Sequence, residues 1–426
     1  MEPDEISLYA SAYHQENNFS TACMSVGQIN SRGIFHGYDP LNYSLPLLLI
    51  QLSLASLVIL LPSRLLKPLG QPSTVAQILG GIILGPSVLG RTGGFTEHFF
   101  PLRGYIILDA IALFGYIFYL FLIGVQMDPW ILKKIEKREV IIGVSTVALA
   151  LVLSITCSFL VTNKVNLEPE TQGSLPVVAT VESVLSFPMM AQYLTEQKMV
   201  NSEFGRLALS SSLASNLFGL CMVHLTILTT KKSGERLVMF KTLASGLAMA
   251  AVIYGMVRPT IMWMLKRKTK GGTLTDESMY VIFVGVLVTA FASQATGLHI
   301  GYGPLVYGLA IPAGPPLGSA LLEKLELINS WFFMPLYFVK NGLVTDIFSV
   351  DLKSFLVVQY IIVIAWLGKF IGALVSSLYC SIPSKDALLL GLVMNVQGVF
   401  DLMMYKMMKR VKVCLKSIRH HSKKGC

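Results

Sequence analysis

Ile361-Ile362-Val363-Ile364-Ala365-Trp366-Leu367-Gly368-Lys369-Phe370-Ile371-Gly372-Ala373-Leu374-Val375-Ser376-Ser377-Leu378 is an apolar run with one lysine at its middle. Its length suits a helix that crosses a bilayer, which needs about 20 mainly apolar residues. An ammonium at the centre of such a helix costs about 2.5–3.5 kcal/mol, so intramembrane lysines line ion paths or pair with an opposite charge. A lysine near a helix end can instead snorkel to the interface. Lys369 stands eight residues from the start of the run and nine from its end. That position favours a path or a buried pair over snorkelling.

The rest of the chain places this run in a polytopic membrane protein. It is 53% hydrophobic and only 14% charged, proportions that do not fit one soluble core. About twelve apolar runs meet the length requirement or approach it, near 45–62, 73–90, 104–126, 140–162, 173–194, 206–229, 240–264, 278–297, 300–316, 325–343, 354–380 and 386–405. The net charge of +10 falls in short clusters between runs, as cytoplasmic loops require, so nucleic-acid binding is not expected. Clusters after the first, third and seventh runs put the N-terminus on the outer or luminal side, although Lys231, Lys232 and Arg236 after the sixth run oppose this. Residues 1–44 form an acidic hydrophilic segment without the pattern of a cleaved signal peptide, and 406–426 form a basic tail. Cys23, Cys157, Cys221, Cys380, Cys414 and Cys426 lack C-x-x-C spacing, which predicts neither disulfide nor metal site.

Two runs are interrupted near their centres. The fifth contains Ser183-Val184-Leu185-Ser186-Phe187-Pro188, where Pro188 lacks an amide hydrogen and frees a carbonyl one turn earlier. The twelfth reads Gly391-Leu392-Val393-Met394-Asn395-Val396-Gln397-Gly398, with an amide pair and glycines at its middle. One break alone is an ordinary kink. Two in one chain, with Lys369 on the helix before the second, predict exposed main-chain groups facing a cavity or an ion. Gly80-Gly81-Ile82-Ile83-Leu84-Gly85 lacks the Gly-Lys-Ser/Thr of a phosphate loop, so its small residues predict close helix packing.

Several strings together carry a family resemblance. They are Gly80 to Leu84 continued by Gly85-Pro86-Ser87-Val88-Leu89-Gly90-Arg91, Phe121-Leu122-Ile123-Gly124-Val125-Gln126-Met127-Asp128, Ser186-Phe187-Pro188, Tyr307-Gly308-Leu309-Ala310-Ile311-Pro312, Pro335-Leu336-Tyr337-Phe338, Gly368-Lys369 and Met394-Asn395. In this order, over about residues 40–405, the chain resembles the plant cation/proton exchangers of the monovalent cation:proton antiporter superfamily. The resemblance implies an all-α, inverted-repeat antiporter fold with two broken crossing helices, a dimerisation domain and a core domain. It also implies potassium or sodium ions and protons as substrates, a homodimer or a heterodimer with relatives, no cofactor and no enzymatic reaction. Either the plasma membrane or an endomembrane is compatible with it. Family members have thirteen spans and a large cytosolic domain, so the sequence reads as about twelve of those spans, 45–405, ending in a short tail.

The resemblance places ion handling at an aspartate of the sixth span and a lysine near the crossing. Here the aspartate position holds Asn216, preceded by Ser215, and Lys369 is the lysine. An amide oxygen can ligate a dehydrated cation, but the group does not release a proton near neutral pH. Gln77 likewise stands where relatives commonly carry Glu. The expected ion-binding set is therefore Asn216, Ser215, Lys369 and Asn395, with Ser183, Ser186, Pro188, Gln397 and Gly398 forming the crossing. Glu182 is a candidate replacement proton carrier that could pair with Lys369, its other reading being a residue at the outer interface. Asp401 is a second candidate acid. Asp109, Asp128 and Asp346 read as solvated helix ends. Three functions remain open: cation/proton antiport by alternating access, a non-transporting homologue that dimerises with full-length relatives, and an uncoupled cation pathway.

Overall fold

The computed structural model describes Ile29, Ser31, 34–69, 71, 73–91, 94–126, 135–165, 169–200, 202–230, 233–268, 276–312, 317–343, 345–349 and 351–398. These residues are helical almost throughout. The principal helices are α1 (Ser44–Leu66), α2 (Ser73–Leu84), α3 (Leu102–Gln126), α4 (Lys137–Lys164), α5 (Pro169–Ser183), α6 (Phe187–Glu196), α7 (Glu203–Thr230) and α8 (Ser233–Val252). A π turn, Ile253–Val257, leads to α9 (Arg258–Lys268), followed by α10 (Asp276–Ala295), α11 (Tyr302–Ala310) and α12 (Leu317–Ile328). A second π turn, Asn329–Phe333, leads to α13 (Met334–Leu343), then α14 (Leu352–Tyr379) and α15 (Ser384–Val393).

The described part of each apolar run is therefore mostly helical. Among the described residues seven stretches are long and apolar enough to cross a membrane, and the bent pair α5–α6 makes an eighth. The runs at 300–316 and 386–405 differ from simple spans: α11 has 9 residues and α15 has 10 before the chain turns at Met394. This is a multi-pass integral membrane protein. Asp128, Asp401 and the tail 406–426 lie outside the described residues.

The chain divides into two units, residues 1–126 with 248–350 and residues 127–247 with 351–426. The first is built around α3. Phe121, Leu122 and Val125 of α3 join Ile282 and Val286 of α10, Tyr307 of α11 and Leu321 of α12 in one buried cluster. Elsewhere in this unit α2 and α13 meet backbone to backbone. A methyl at Gly81 would collide with the Phe338 carbonyl, and one at Gly342 with the Gly81 carbonyl. The small-residue reading of Gly80 to Gly85 is thus realised, since only residues without side chains permit such an approach.

Polar side chains support the second π turn. Gln77 donates to the Ser330 carbonyl at 2.9 Å and Ser56 to the Trp331 carbonyl at 2.9 Å. Asn329, its amide oriented to satisfy both neighbours, donates to the Gly115 carbonyl at 3.0 Å and accepts from the Tyr119 amide at 3.1 Å. These are the two ends of one helical hydrogen bond on α3. The amide at position 77 therefore has a structural partner of its own.

One expectation is overturned in this unit. Asp109 is not a solvated helix end: it is 6% exposed, lies in the body of α3 and forms an ion pair with Lys340 of α13, itself 2% exposed. An apolar interior does not solvate a lone carboxylate, and removing one partner of such a pair costs about 3–5 kcal/mol.

In the second unit α4 is the central element. Gly368 and Gly372 of α14 lie against Ala150 and Thr146 of α4, where added methyls would come within 2.7 and 2.9 Å of the opposing main chain. About one turn earlier on α4, Gly143 admits the Ser211 carbonyl and the Ser215 amide of α7. Leu175 and Ala179 of α5 and Ile361 of α14 form a buried cluster farther along α4, with Ile155 of α4 packed beside them. Lys369 is 2% exposed, immediately after one of the two glycines that bring α14 onto α4.

Candidate functional site

All the site residues expected from the sequence that are described belong to the second unit. The first break separates α5 from α6 by a bend of 46°. Helical bonding ends with a tightened turn in which the Val184 amide donates to the Val181 carbonyl at 3.2 Å. Helix resumes at Phe187, and Pro188 occupies the first turn, where a missing amide hydrogen is tolerated. Ser186 precedes that turn, yet its hydroxyl does not cap it, and its Oγ is buried without a partner.

The break is anchored on the α4 side. Ser183 donates to the Ala179 carbonyl at 2.6 Å and shares a 2.8 Å hydrogen bond with Ser154 of α4. Ser154, which the sequence reading did not single out, also lies 3.2 Å from the Ala179 carbonyl. Its only sequence signal is a hydroxyl within an apolar helix, which does not identify a partner.

The second break follows α15. Met394 and Asn395 form a turn and Val396 to Gly398 are non-helical. Asn395 donates to the Gly391 carbonyl at 2.9 Å, while its Oδ1 is buried without a partner. Gln397 donates from Nε2 to the main-chain oxygen of Glu182 at 3.3 Å, and Gly398 lies against Met189 of α6. The two interruptions therefore touch.

The remaining residues surround this contact. Gly219 of α7 faces the first break, where an added methyl would come within 2.6 Å of Val184. Asn216 lies one turn earlier, 7% exposed, with Oδ1 buried and unpartnered. Ser215 shares its one hydroxyl hydrogen between the Gly143 carbonyl of α4 and the Ser211 carbonyl, each 2.9 Å away. The Ser211 Oγ is buried without a hydrogen-bond partner. Phe370, next to Lys369, lies against Gly391, one turn before Asn395. Glu182, at the end of α5, is 8% exposed, and it is its main-chain oxygen that accepts from Gln397.

The oxygens left over have a common chemistry. Asn216 Oδ1, Asn395 Oδ1, Ser186 Oγ and Ser211 Oγ, like Ser158 Oγ and Ser377 Oγ of the same unit, are neutral oxygens capable of accepting, withdrawn from solvent. Buried polar atoms normally have partners, and exceptions concentrate where a ligand or ion completes the set. Amide and hydroxyl oxygens are hard donors suited to an alkali cation, whereas none of these exchanges a proton near neutral pH.

Residues 52–415 match the family described as sodium/hydrogen exchanger, transmembrane. The chain is 32% identical over 406 residues to Cation/H(+) antiporter 15 of Arabidopsis thaliana, covering 95% of this chain and 49% of that protein. Against Cation/H(+) antiporter 18 of the same organism it is 31% identical over 397 residues, covering 93% and 49%. Against Cation/H(+) symporter 13 it is 31% identical over 387 residues, covering 89% and 46%. The chain thus spans about half the length of the curated relatives it matches. In three dimensions it is similar to the sodium proton antiporter MjNhaP1 of Methanocaldococcus jannaschii, with a TM-score of 0.53, 14% identity and coverage of 87% and 88% of the two chains. The two share a fold.

Proposed function

We propose that this chain, which belongs to the transmembrane sodium/hydrogen exchanger family, exchanges a monovalent cation, potassium or sodium, against protons by alternating access at the crossing of its two broken helices. The observation that carries this reading is the contact of the breaks through Gln397 and Glu182, with Asn216 Oδ1 and Asn395 Oδ1 buried and unpartnered. Asn216 and Asn395 supply oxygens to the cation, Ser215 holds α7 against α4, and Lys369 places a positive charge in the apolar interior. Glu182 is the buried carboxylate at this point and serves as the proton carrier. Asp401 is the further candidate acid. A dimer, with itself or with a relative, is the expected assembly.

The amide at 216 also favours a second reading, an uncoupled cation pathway, because its oxygen binds a cation without trading it for a proton. The same amide supports a third, a non-transporting partner of full-length relatives. Relatives named as antiporters and as a symporter leave the direction of coupling to measurement.

The test is reconstitution of the chain in vesicles beside Asn216→Asp and Glu182→Gln, with folding checked by size-exclusion and potassium-driven changes of internal pH recorded. Exchange by the original chain that Glu182→Gln abolishes supports the proposal. Cation flux without proton movement selects the uncoupled pathway. Exchange only after Asn216→Asp identifies an intact scaffold that does not itself transport.

A further inference from the structure

The ion pair in the first unit has no part in the proposed ion path. Three acidic side chains are buried among the described residues. Glu139 closes a capping box at the start of α4, and Glu182 ends α5 at the first break. Asp109 has neither duty: it sits inside α3 and meets Lys340 on α13. A buried ion pair is often no more stabilising than apolar residues of the same size, and its best-attested use is to specify one arrangement among several.

The chain around α13 meets α3 at further points. Among these are the stacked rings of Tyr116 and Tyr337, 5.0 Å apart, and the approach of Gly115 to Phe333 at the end of the π turn before α13, where an added methyl would come within 2.5 Å of Cβ. Together with Asp109–Lys340 they run in opposite directions along the two helices, which are therefore antiparallel. A slip of one turn, about 5.4 Å, would set Phe333 against Ile111 or Tyr119 in place of Gly115 and break the Asn329 bridge, so these contacts resist it alongside the ion pair. In lipid there is no hydrophobic force between helices to penalise such a slip. An ion pair does penalise it, since any other register leaves two buried charges apart.

We propose that Asp109–Lys340 is a register pin, a charged pair that selects one axial setting of α13 on α3 in this unit. Register is read by short bifunctional thiol cross-linking in the full chain. Tyr116→Cys with Tyr337→Cys reports the native setting, and Ala112→Cys or Leu120→Cys with Tyr337→Cys reports a slip of one turn either way. Each pair is introduced into the original chain, into an apolar replacement (Asp109→Leu with Lys340→Met) and into a swap (Asp109→Lys with Lys340→Asp). The original chain and the swap are expected to cross-link in the native setting alone. The apolar replacement is expected to elute as folded protein while native cross-linking falls several-fold and a shifted pair appears. Native cross-linking at the original yield in the apolar replacement would overturn the proposal, leaving the pair without a role in register. Should the apolar replacement not fold, the swap decides: restoration of folded yield and native cross-linking relative to Asp109→Lys alone supports the pin, and failure to restore them overturns it.

Discussion

Gln397 donates its side-chain amide to the main-chain oxygen of Glu182 at 3.3 Å, so the break after α15 is tied directly to the break after α5. The carbonyl at a helix end needs a partner once it leaves water, and in this chain the other broken helix provides it.

Gln397→Leu should therefore leave the Glu182 carbonyl unsatisfied, at a cost of about 1–3 kcal/mol. The expected outcome is a lower unfolding temperature in detergent together with loss of most cation-driven pH change in vesicles. Unaltered stability would show that the carbonyl finds another partner.

Asn216→Leu separates a structural from a functional role. Because Asn216 Oδ1 is buried without a partner, removing it relieves an unfavourable burial, and stability should hold or rise by about 1 kcal/mol. Cation flux should nevertheless disappear. A variant that keeps its flux removes Asn216 from the path.

Glycine substitutions should split according to space. Gly81→Ala pushes a methyl into the main chain of α13 and is expected to destabilise by about 1–3 kcal/mol. At Gly255, in the first π turn, an added methyl meets nothing within 4 Å. Gly255→Ala should gain about 0.5–1 kcal/mol from the better helical residue. Paired thermal melts decide both.

Asn329→Leu removes the side chain that bridges the Gly115 carbonyl and the Tyr119 amide. The helical bond between those groups must then close unaided or stay open, at a cost of about 1–3 kcal/mol for a buried unsatisfied group. Hydrogen exchange at the Tyr119 amide should quicken relative to Tyr116 on the same helix. Equal protection at the two positions would contradict the bridge.

Much of the site was legible because apolar helices make exceptions conspicuous. Pro188, the glycines around Asn395 and the charge of Lys369 each violate what a lipid-spanning helix prefers, so each stood out. The same rule applied to Asp109 and Lys340, which lie inside the runs at 104–126 and 325–343. They escaped because a charge in a run reads as a helix end until its partner is known, and that partner is more than two hundred residues away along the chain. Ser154 and Asn329 escaped for a related reason: hydroxyls and amides inside a helix are common, and only a neighbour gives them a role.

By itself the sequence determined that the chain crosses membranes, where most of its helices run, that one of them breaks at Pro188 and that another is interrupted near Asn395, because hydropathy, proline and glycine act on the residues that carry them. It also determined that position 216 carries no titratable proton, which follows from side-chain chemistry alone. Only the tertiary structure decided that the breaks touch, that Glu182 is buried at their contact and that Asp109 answers Lys340. Contacts between residues distant in the chain depend on how helices pack, and the short-range preferences of a sequence do not contain them.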